Sequence, residues 1–142
     1  MNFITKNNNL STDLEIVIID DDPVTSMLHQ IKVGKRFSKP LHVFMDAREA
    51  LIFMTEAGDR NFLVLLDIDM PAMDGWDFLS EWQKADANSA IKVIMLSCSI
   101  STADKQRSQT FPEVVRYFEK PLYNSHLEEM GKLMASFHAG QQ

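Results

Sequence analysis

Five short apolar runs, separated by segments with helical signals, constrain the fold of this chain more than any other feature. Each run has four to six residues, and most are rich in Val and Ile with few polar residues. Such runs are typical of strands that are buried on both faces, as in parallel sheets. The five runs are Glu15–Ile19, Leu41–Phe44, Phe62–Leu66, Ile91–Leu96 and Val114–Phe118.

Helix signals lie between the runs. Asp22 followed by Pro23 predicts an N-cap and a first helical residue, and Gly34 predicts the end of that helix. Asp46 predicts the next cap, with Glu49 at capping-box spacing. Two further helices are predicted from apolar residues at helical spacing: one with Trp76, Phe78, Leu79 and Trp82, and a last one capped by Asn124 with Leu127, Met130, Leu133, Met134 and Phe137.

Strands that alternate with helices predict an α/β fold, with a doubly wound parallel sheet covered by helices on both faces. For five strands we expect the order 2-1-3-4-5, in which the first and third strands are neighbours. Ligands of such sheets bind at the carboxyl ends of the strands. Residues Ser101–Thr110 contain one apolar residue, Ala103, so any helix there is expected to be exposed and weakly anchored.

The length of 142 residues is sufficient for one domain with a real core. We expect a polar N-terminal leader at residues 1–13, one domain at residues 14–138 and a short tail at residues 139–142. No output domain is expected to accompany the single domain.

Composition excludes several classes of function. Fourteen Lys and Arg against twenty Asp and Glu give a net charge of −6, which argues against a nucleic-acid surface and a polybasic membrane anchor. The longest apolar runs are far shorter than the about 20 residues that span a bilayer, and the N-terminus lacks the apolar stretch of a signal peptide. Cys98 is the only cysteine, which excludes a disulfide framework. We therefore expect a cytoplasmic protein.

Acidic residues follow two strands that should be neighbours. Asp20 and Asp21 come directly after the first run, and Asp67 and Asp69 come after the third. Carboxylates that converge raise one another's pKa, and a hard divalent cation such as Mg²⁺ removes this conflict. The alternative for the triplet that ends at Asp22 is helix capping with solvated charge, which explains Asp22 better than the two acids before it.

Two other strand ends carry complementary groups. Ser97 ends the fourth strand and offers a hydroxyl, and Lys120 follows the fifth strand. A metal ion, a cation and a hydroxyl donor around one carboxylate can support phosphoryl transfer. In such a site Asp67 acts as the nucleophile, because carboxylates form acyl phosphates.

With these residues in place, the chain resembles the receiver domain of bacterial two-component response regulators. The resemblance covers about residues 14–138 and rests on four motifs in order: IIDDD at 18–22, LLDIDMPAMDG at 65–75, LSCS at 96–99 and YFEKPL at 117–122. The motifs are similar to those of stand-alone receivers of the Bacteroidetes group. The resemblance implies a flavodoxin-like three-layer fold, and a signalling protein that catalyses only its own phosphorylation and dephosphorylation.

The resemblance also implies roles for individual residues. Asp67 is expected to be the phosphoacceptor, which receives phosphate from a sensor histidine kinase or a histidine phosphotransfer protein. Asp21 is expected to bind Mg²⁺ directly, Asp20 partly through water, and Asp69 through its backbone carbonyl. The downstream partner is a protein or the next member of a phosphorelay.

Three further residues are expected to act in the switch. Ser97 occupies the family's switch Ser/Thr position, Lys120 that of its active-site lysine, and Tyr117 that of the aromatic residue whose rotamer changes inward on activation. Cys98 is expected to be a buried small residue that controls access to the phosphoryl group. Residues 101–113 lack the family's usual amphipathic fourth helix.

The sequence also allows other interpretations. Asp67 and Asp69 also fit the DxD motif of haloacid-dehalogenase-type phosphatases, although that motif usually lies on the first strand. An EF-hand fails, because Pro71 and Phe78 occupy ligand positions. A receiver-like interaction module without the phosphorylation chemistry is the remaining alternative. The four histidines, at 29, 42, 126 and 138, have no ligand spacing and are expected at the surface or an interface.

Overall fold

The computed structural model describes residues 14–99 and 101–140, with side chains up to residue 137. The predicted leader at 1–13 and residues 141–142 of the predicted tail lie outside this range.

A five-stranded parallel sheet forms the centre of the fold, with strand order β2-β1-β3-β4-β5. Every apolar run of the sequence lies within one of these strands, so the predicted fold class and strand order are confirmed. The strands are β1 (Leu14–Ile19), β2 (Leu41–Phe44), β3 (Asn61–Asp67), β4 (Ala90–Ser97) and β5 (Val114–Glu119).

Helices connect the strands. They are α1 (Pro23–Arg36), α2 (Ala47–Thr55), α3 (Gly75–Ala85), α4 (Thr102–Ser108) and α5 (Asn124–Gly140). The sequence leaves open whether residues 101–110 form a helix, and the structure has α4 there. The expectation of weak anchoring was right, since none of the seven residues of α4 is buried.

The predicted caps of α1 and α2 are confirmed: Asp22 accepts the N–H of Thr25, and Asp46 accepts the N–H of Arg48. A capping box with both of its bonds forms at α3, between Asp74 and Asp77. The predicted helix end at Gly34 was wrong, because α1 continues to Arg36.

Helices cover both faces of the sheet. Successive residues of β3 point to opposite faces, and all six from Phe62 to Asp67 are buried. Phe62, Val64 and Leu66 pack with α2 and α3, whereas Leu63 and Leu65 pack with α1 and α5. This double burial explains why the strand reads as a continuous apolar run. The strand ends that carry the polar residues therefore meet at one rigid edge.

Helix α1 docks through a face that carries two polar residues. Its buried residues are Ser26, His29 and Val33, while a stripe of large apolar side chains faces solvent. We call this the α1 stripe; it consists of Val24, Met27, Leu28 and Ile31, which are 60%, 54%, 51% and 47% exposed. Within the described residues, no helix has both the length and the apolar character needed to cross a membrane.

Candidate functional site

Three carboxylates converge at the carboxyl edge of the sheet. Asp20 directly follows β1 and is fully buried, Asp67 is the last residue of β3 and is 4% exposed, and Asp21 is half-buried. Strands β1 and β3 are paired up to Ile19 and Leu66, which places the next residues side by side. One oxygen from each carboxylate lies within 4.8 Å of the others.

Lys120 joins this cluster from the far side of β4. Its Nζ donates to Asp20 Oδ2 at 2.8 Å and lies 3.0 Å from Asp67 Oδ1. Only 13% of the lysine side chain is exposed. The lysine is held by its backbone, since its N–H donates to the Ser97 carbonyl at 2.7 Å, and the Lys120–Pro121 peptide is cis.

The electrostatics of the cluster follow from burial. Burial and the neighbouring charge of Asp20 raise the pKa of Asp67 to about 6, although Lys120 and the Asp69 N–H act in the opposite direction. Burial alone would lower the pKa of Lys120, but its hydrogen bonds to Asp20 and Asp67 outweigh burial and raise it. At neutral pH a largely ionised Asp67 therefore faces the ammonium of Lys120.

The donor set fits a magnesium ion. All three candidate ligands supply carboxylate oxygens, which Mg²⁺ prefers, and Asp21 leaves the cluster open to water, which Mg²⁺ retains. The pair Asp20 and Lys120 is already bonded, so the cation would add to an existing network.

Ser97 and Tyr117 lie next to this cluster, but neither is bonded to Asp67. The buried Ser97 hydroxyl donates to the Ser99 carbonyl at 2.7 Å and accepts the Ser99 N–H at 3.3 Å. The Tyr117 hydroxyl is buried and has no hydrogen-bond partner among the described residues. Burial raises the pKa of Tyr117 to about 12, with a further contribution from Asp104. The Tyr117 hydroxyl is thus buried in this structure, and the expected change of rotamer on activation stays a prediction.

Three residues near the site differ in their exposure. Asp69 is exposed, and its N–H donates to Asp67 Oδ1 at 3.4 Å. Cys98 was expected to be buried but is exposed. His29 was expected at the surface but is 2% exposed, and its Nδ1 has no partner among the described residues. Burial lowers the pKa of His29.

His29 is a residue of the site region that sequence reasoning missed. It lines a pocket of about 260 Å³ with Cys98, Lys120 and Pro121, between α1 and the ends of β4 and β5. The sequence contained one signal, since His29 lies at helical spacing between Ser26 and Val33, which are also buried.

A five-stranded doubly wound fold with an acidic cluster and a lysine at the carboxyl edge defines a class of phosphoryl-transfer signalling domains. The family model described as "Response regulator receiver domain" matches residues 16–132. The chain belongs to this family, and it is a receiver domain of two-component response regulators. This excludes the phosphatase interpretation of Asp67 and Asp69.

Curated relatives agree with the family. The chain is 30% identical over 112 residues to the probable methanogenesis regulatory protein FilR2 of Methanothrix harundinacea, covering 75% of this chain and 72% of that protein. It is 26% identical over 132 residues to the sensor histidine kinase CheAY of Helicobacter pylori, covering 90% of this chain but only 16% of that protein. The chain therefore corresponds to a small part of the kinase.

A solved structure shows the same fold. The two-component response regulator from Cytophaga hutchinsonii superposes with a TM-score of 0.75 at 19% identity, over 87% of this chain and 97% of that one. Receiver domains bind Mg²⁺ at an acidic cluster, and this chain has such a cluster.

Proposed function

We propose that Asp67 is the phosphoacceptor of this receiver and takes a phosphoryl group from a phosphohistidine on a kinase or phosphotransfer protein. The observation that carries this proposal is the position of Lys120 Nζ, 2.8 Å from Asp20 and 3.0 Å from Asp67, beside the half-buried Asp21. The acceptor is thereby flanked by one cation and by two acids that can hold another. The protein then signals to a partner protein or passes the phosphate along a relay, and its place is the cytoplasm.

The geometry supports the following transfer step. A carboxylate oxygen of Asp67 attacks phosphorus, the P–N bond to the histidine breaks, and the leaving imidazole nitrogen takes a proton from water. Lys120 stabilises the charge that develops on the phosphoryl oxygens, because its ammonium is already within bonding distance of the nucleophile. Burial of Asp67 keeps bulk water from competing for these contacts.

Asp20, Asp21 and Asp67 are the residues that would hold Mg²⁺, together with the backbone carbonyl of Asp69. When bound, the ion neutralises negative charge on the cluster and on the transferred group. Asp20 already accepts the Asp22 N–H at 2.9 Å and a bond from Lys120, so its orientation is set before any cation binds.

Ser97 is the residue we assign to sense the product. Its hydroxyl now donates to the Ser99 carbonyl, and an acyl phosphate on Asp67 offers it a charged acceptor instead. Charge-assisted hydrogen bonds are stronger than neutral ones, so exchange of partner is favoured. The β4–α4 connection would then change conformation with phosphorylation.

The α1 stripe is the surface that we assign to the phosphodonor protein. A donor histidine must reach Asp67 at the carboxyl edge, and the stripe begins at Val24, four residues after Asp20. Its spacing of three and four residues presents one continuous line of apolar side chains, which suits a helix of a partner.

The phosphoacceptor role is tested by incubation with a small-molecule phosphodonor and Mg²⁺, followed by intact-mass measurement. The unaltered chain and Asp69→Asn are expected to gain one phosphoryl group, and Asp67→Asn none. Lys120→Ala is expected to accept phosphate slowly without the conformational response. Persistent acyl-phosphate formation in Asp67→Asn would refute the assignment, whereas no phosphorylation of the unaltered chain would favour a pure interaction module.

The docking role is tested by comparing two kinds of donor. Met27→Glu is expected to slow transfer from a phosphohistidine protein by at least tenfold, with no change for a small-molecule donor. Ile52→Glu is the matched control, because Ile52 is equally exposed, at 56%, but lies on α2. Equal slowing by both variants would contradict the assignment of the α1 stripe.

A further inference from the structure

Helix α4 is attached to the domain by surface contacts alone. None of its residues is buried, and seven residues are too few for a helix to be stable in isolation. A pocket of about 310 Å³ separates it from β5, lined by Lys105 and Ser108 on α4 and by Val114 and Tyr117 on β5. The helix therefore has room to move, and the few contacts that hold it determine its position.

The indole of Trp76 supplies one such attachment. The Arg107 guanidinium lies 5.0 Å from the centre of the indole, and the Phe111 ring stacks on it with centroids 6.0 Å apart and planes at 25°. Trp76 itself is only 3% exposed and belongs to the core. Arg107 at the end of α4 and Phe111 in the following loop thus contact the same buried indole.

Trp76 also directly follows a residue that lies close to the phosphoacceptor's backbone. It is the second residue of α3, directly after Gly75, whose N–H donates to the Ile68 carbonyl at 3.0 Å. A Cβ on Gly75 would lie 3.0 Å from the Asp67 carbonyl oxygen, so α3 begins in contact with the acceptor's backbone. The other end of α4 begins shortly after Ser97. Both ends of α4 therefore lead to the phosphorylation site.

We propose that Arg107 and Phe111, closed on Trp76, form a latch that holds α4 in its unphosphorylated position. This proposal rests on the phosphoacceptor role of Asp67. When the Ser97 hydroxyl leaves the Ser99 carbonyl for the phosphoryl group, the start of α4 moves, and the short helix carries Arg107 away from the indole. Coupling is reciprocal. The closed latch weakens binding of a phosphoryl group or its mimic at Asp67 by the same factor by which that binding weakens the latch.

The test uses beryllofluoride with Mg²⁺ as a phosphoryl mimic on the full chain. Arg107→Ala is expected to bind beryllofluoride about two- to fivefold more tightly, because an exposed cation–π contact accounts for a factor of this size. Lys105→Ala is the matched control, since it removes one charge from the same exposed helix and its affinity should be unchanged. Equal affinity of the two variants, or weaker binding by Arg107→Ala, would overturn the latch.

Trp76 reports the latch directly. In a Trp82→Phe background Trp76 is the only tryptophan, and saturation with beryllofluoride is expected to increase its quenching by iodide. If that variant does not fold, the two resonances of 5-fluorotryptophan in the otherwise unaltered chain give the same readout. Unchanged Trp76 signals with beryllofluoride bound would overturn the latch alone, whereas no binding to the unaltered chain would overturn the phosphoacceptor role and the latch with it.

Discussion

The buried Asp67 carboxylate should reduce the stability of the fold, and Asp67→Asn tests this. The pKa of Asp67 is raised from 3.8 to about 6, chiefly by burial and then by Asp20. At about 1.4 kcal/mol for each pH unit, ionised Asp67 lowers the free energy of unfolding by about 3 kcal/mol. Asparagine has the same shape without the charge. We therefore expect Asp67→Asn to be more stable by about 2–3 kcal/mol at neutral pH.

The dependence on pH has a defined sign. The folded state binds the Asp67 proton more tightly than the unfolded state, so protonation of Asp67 stabilises the fold. This stabilisation is fully present below pH 3.8 and is lost as the pH rises through about 6. The difference between the variant and the unaltered chain should therefore vanish in acid and grow toward neutral pH. Mg²⁺ should reduce it again, by about 2.7 kcal/mol at 100 times its Kd, since the ion needs Asp67.

Urea unfolding in EDTA and in Mg²⁺, followed by circular dichroism, measures these differences. Asp69→Asn is the matched control, because Asp69 is exposed in the same loop and its replacement should change stability little. Equal or lower stability of Asp67→Asn in EDTA at neutral pH would refute the reasoning that the buried charge of Asp67 destabilises the fold.

Three other variants probe the site and the scaffold. Asp21→Ala should weaken Mg²⁺ binding by at least tenfold, measured by Mg²⁺ quenching of tryptophan fluorescence. Gly75→Ala should cost about 1–3 kcal/mol and slow phosphate uptake, because its Cβ would lie 3.0 Å from the Asp67 carbonyl oxygen. Glu15→Gln should remove a loss of stability in acid: the hydrogen bonds from Arg60 lower the pKa of Glu15 below 4.5, so its contribution is present above 4.5 and lost as the pH falls through the lowered value.

Each of these three predictions has an outcome that would contradict it. For the metal, the same Mg²⁺ titration in Asp21→Ala as in the unaltered chain would exclude a ligand role. For the glycine, Gly131→Ala is the control, since its Cβ would meet only Phe37 at an ordinary 3.8 Å, and equal effects of the two substitutions would contradict the steric argument. For the ion pair of Glu15 with Arg60, identical acid unfolding profiles of Glu15→Gln and the unaltered chain would contradict the prediction.

Residues whose environment depends on the sheet were predicted well. The site brings together residues that are up to 100 positions apart, from Asp20 through Asp67 to Lys120. Their proximity could be predicted because the strands are buried on both faces and have a known order. Parallel pairing leaves little freedom, because a strand shifted by one residue would turn its side chains to the opposite face. Local capping signals at Asp22 and Asp46 were equally informative, since each depends on neighbours a few residues away.

Residues whose environment depends on how helices dock were not predicted. Leu28 and His29 each belong to a line of residues at helical spacing on α1, so spacing alone does not tell which line is buried. Contact with the sheet decides that His29 is buried and that Leu28 is 51% exposed. The same holds for Cys98, which is exposed at the end of a buried strand, and for Gly34, which α1 passes without interruption.

The amino-acid order by itself determined the parallel sheet and the set of groups at its carboxyl edge, because continuous apolar runs can be satisfied only by burial on both faces. Tertiary structure alone decided the rotation of α1, the contacts of Arg107 and Phe111 with Trp76 and the burial of the Tyr117 hydroxyl. Those features arise from contacts between segments that are distant in the chain, and periodicity along one segment contains no information on which face its neighbours will cover.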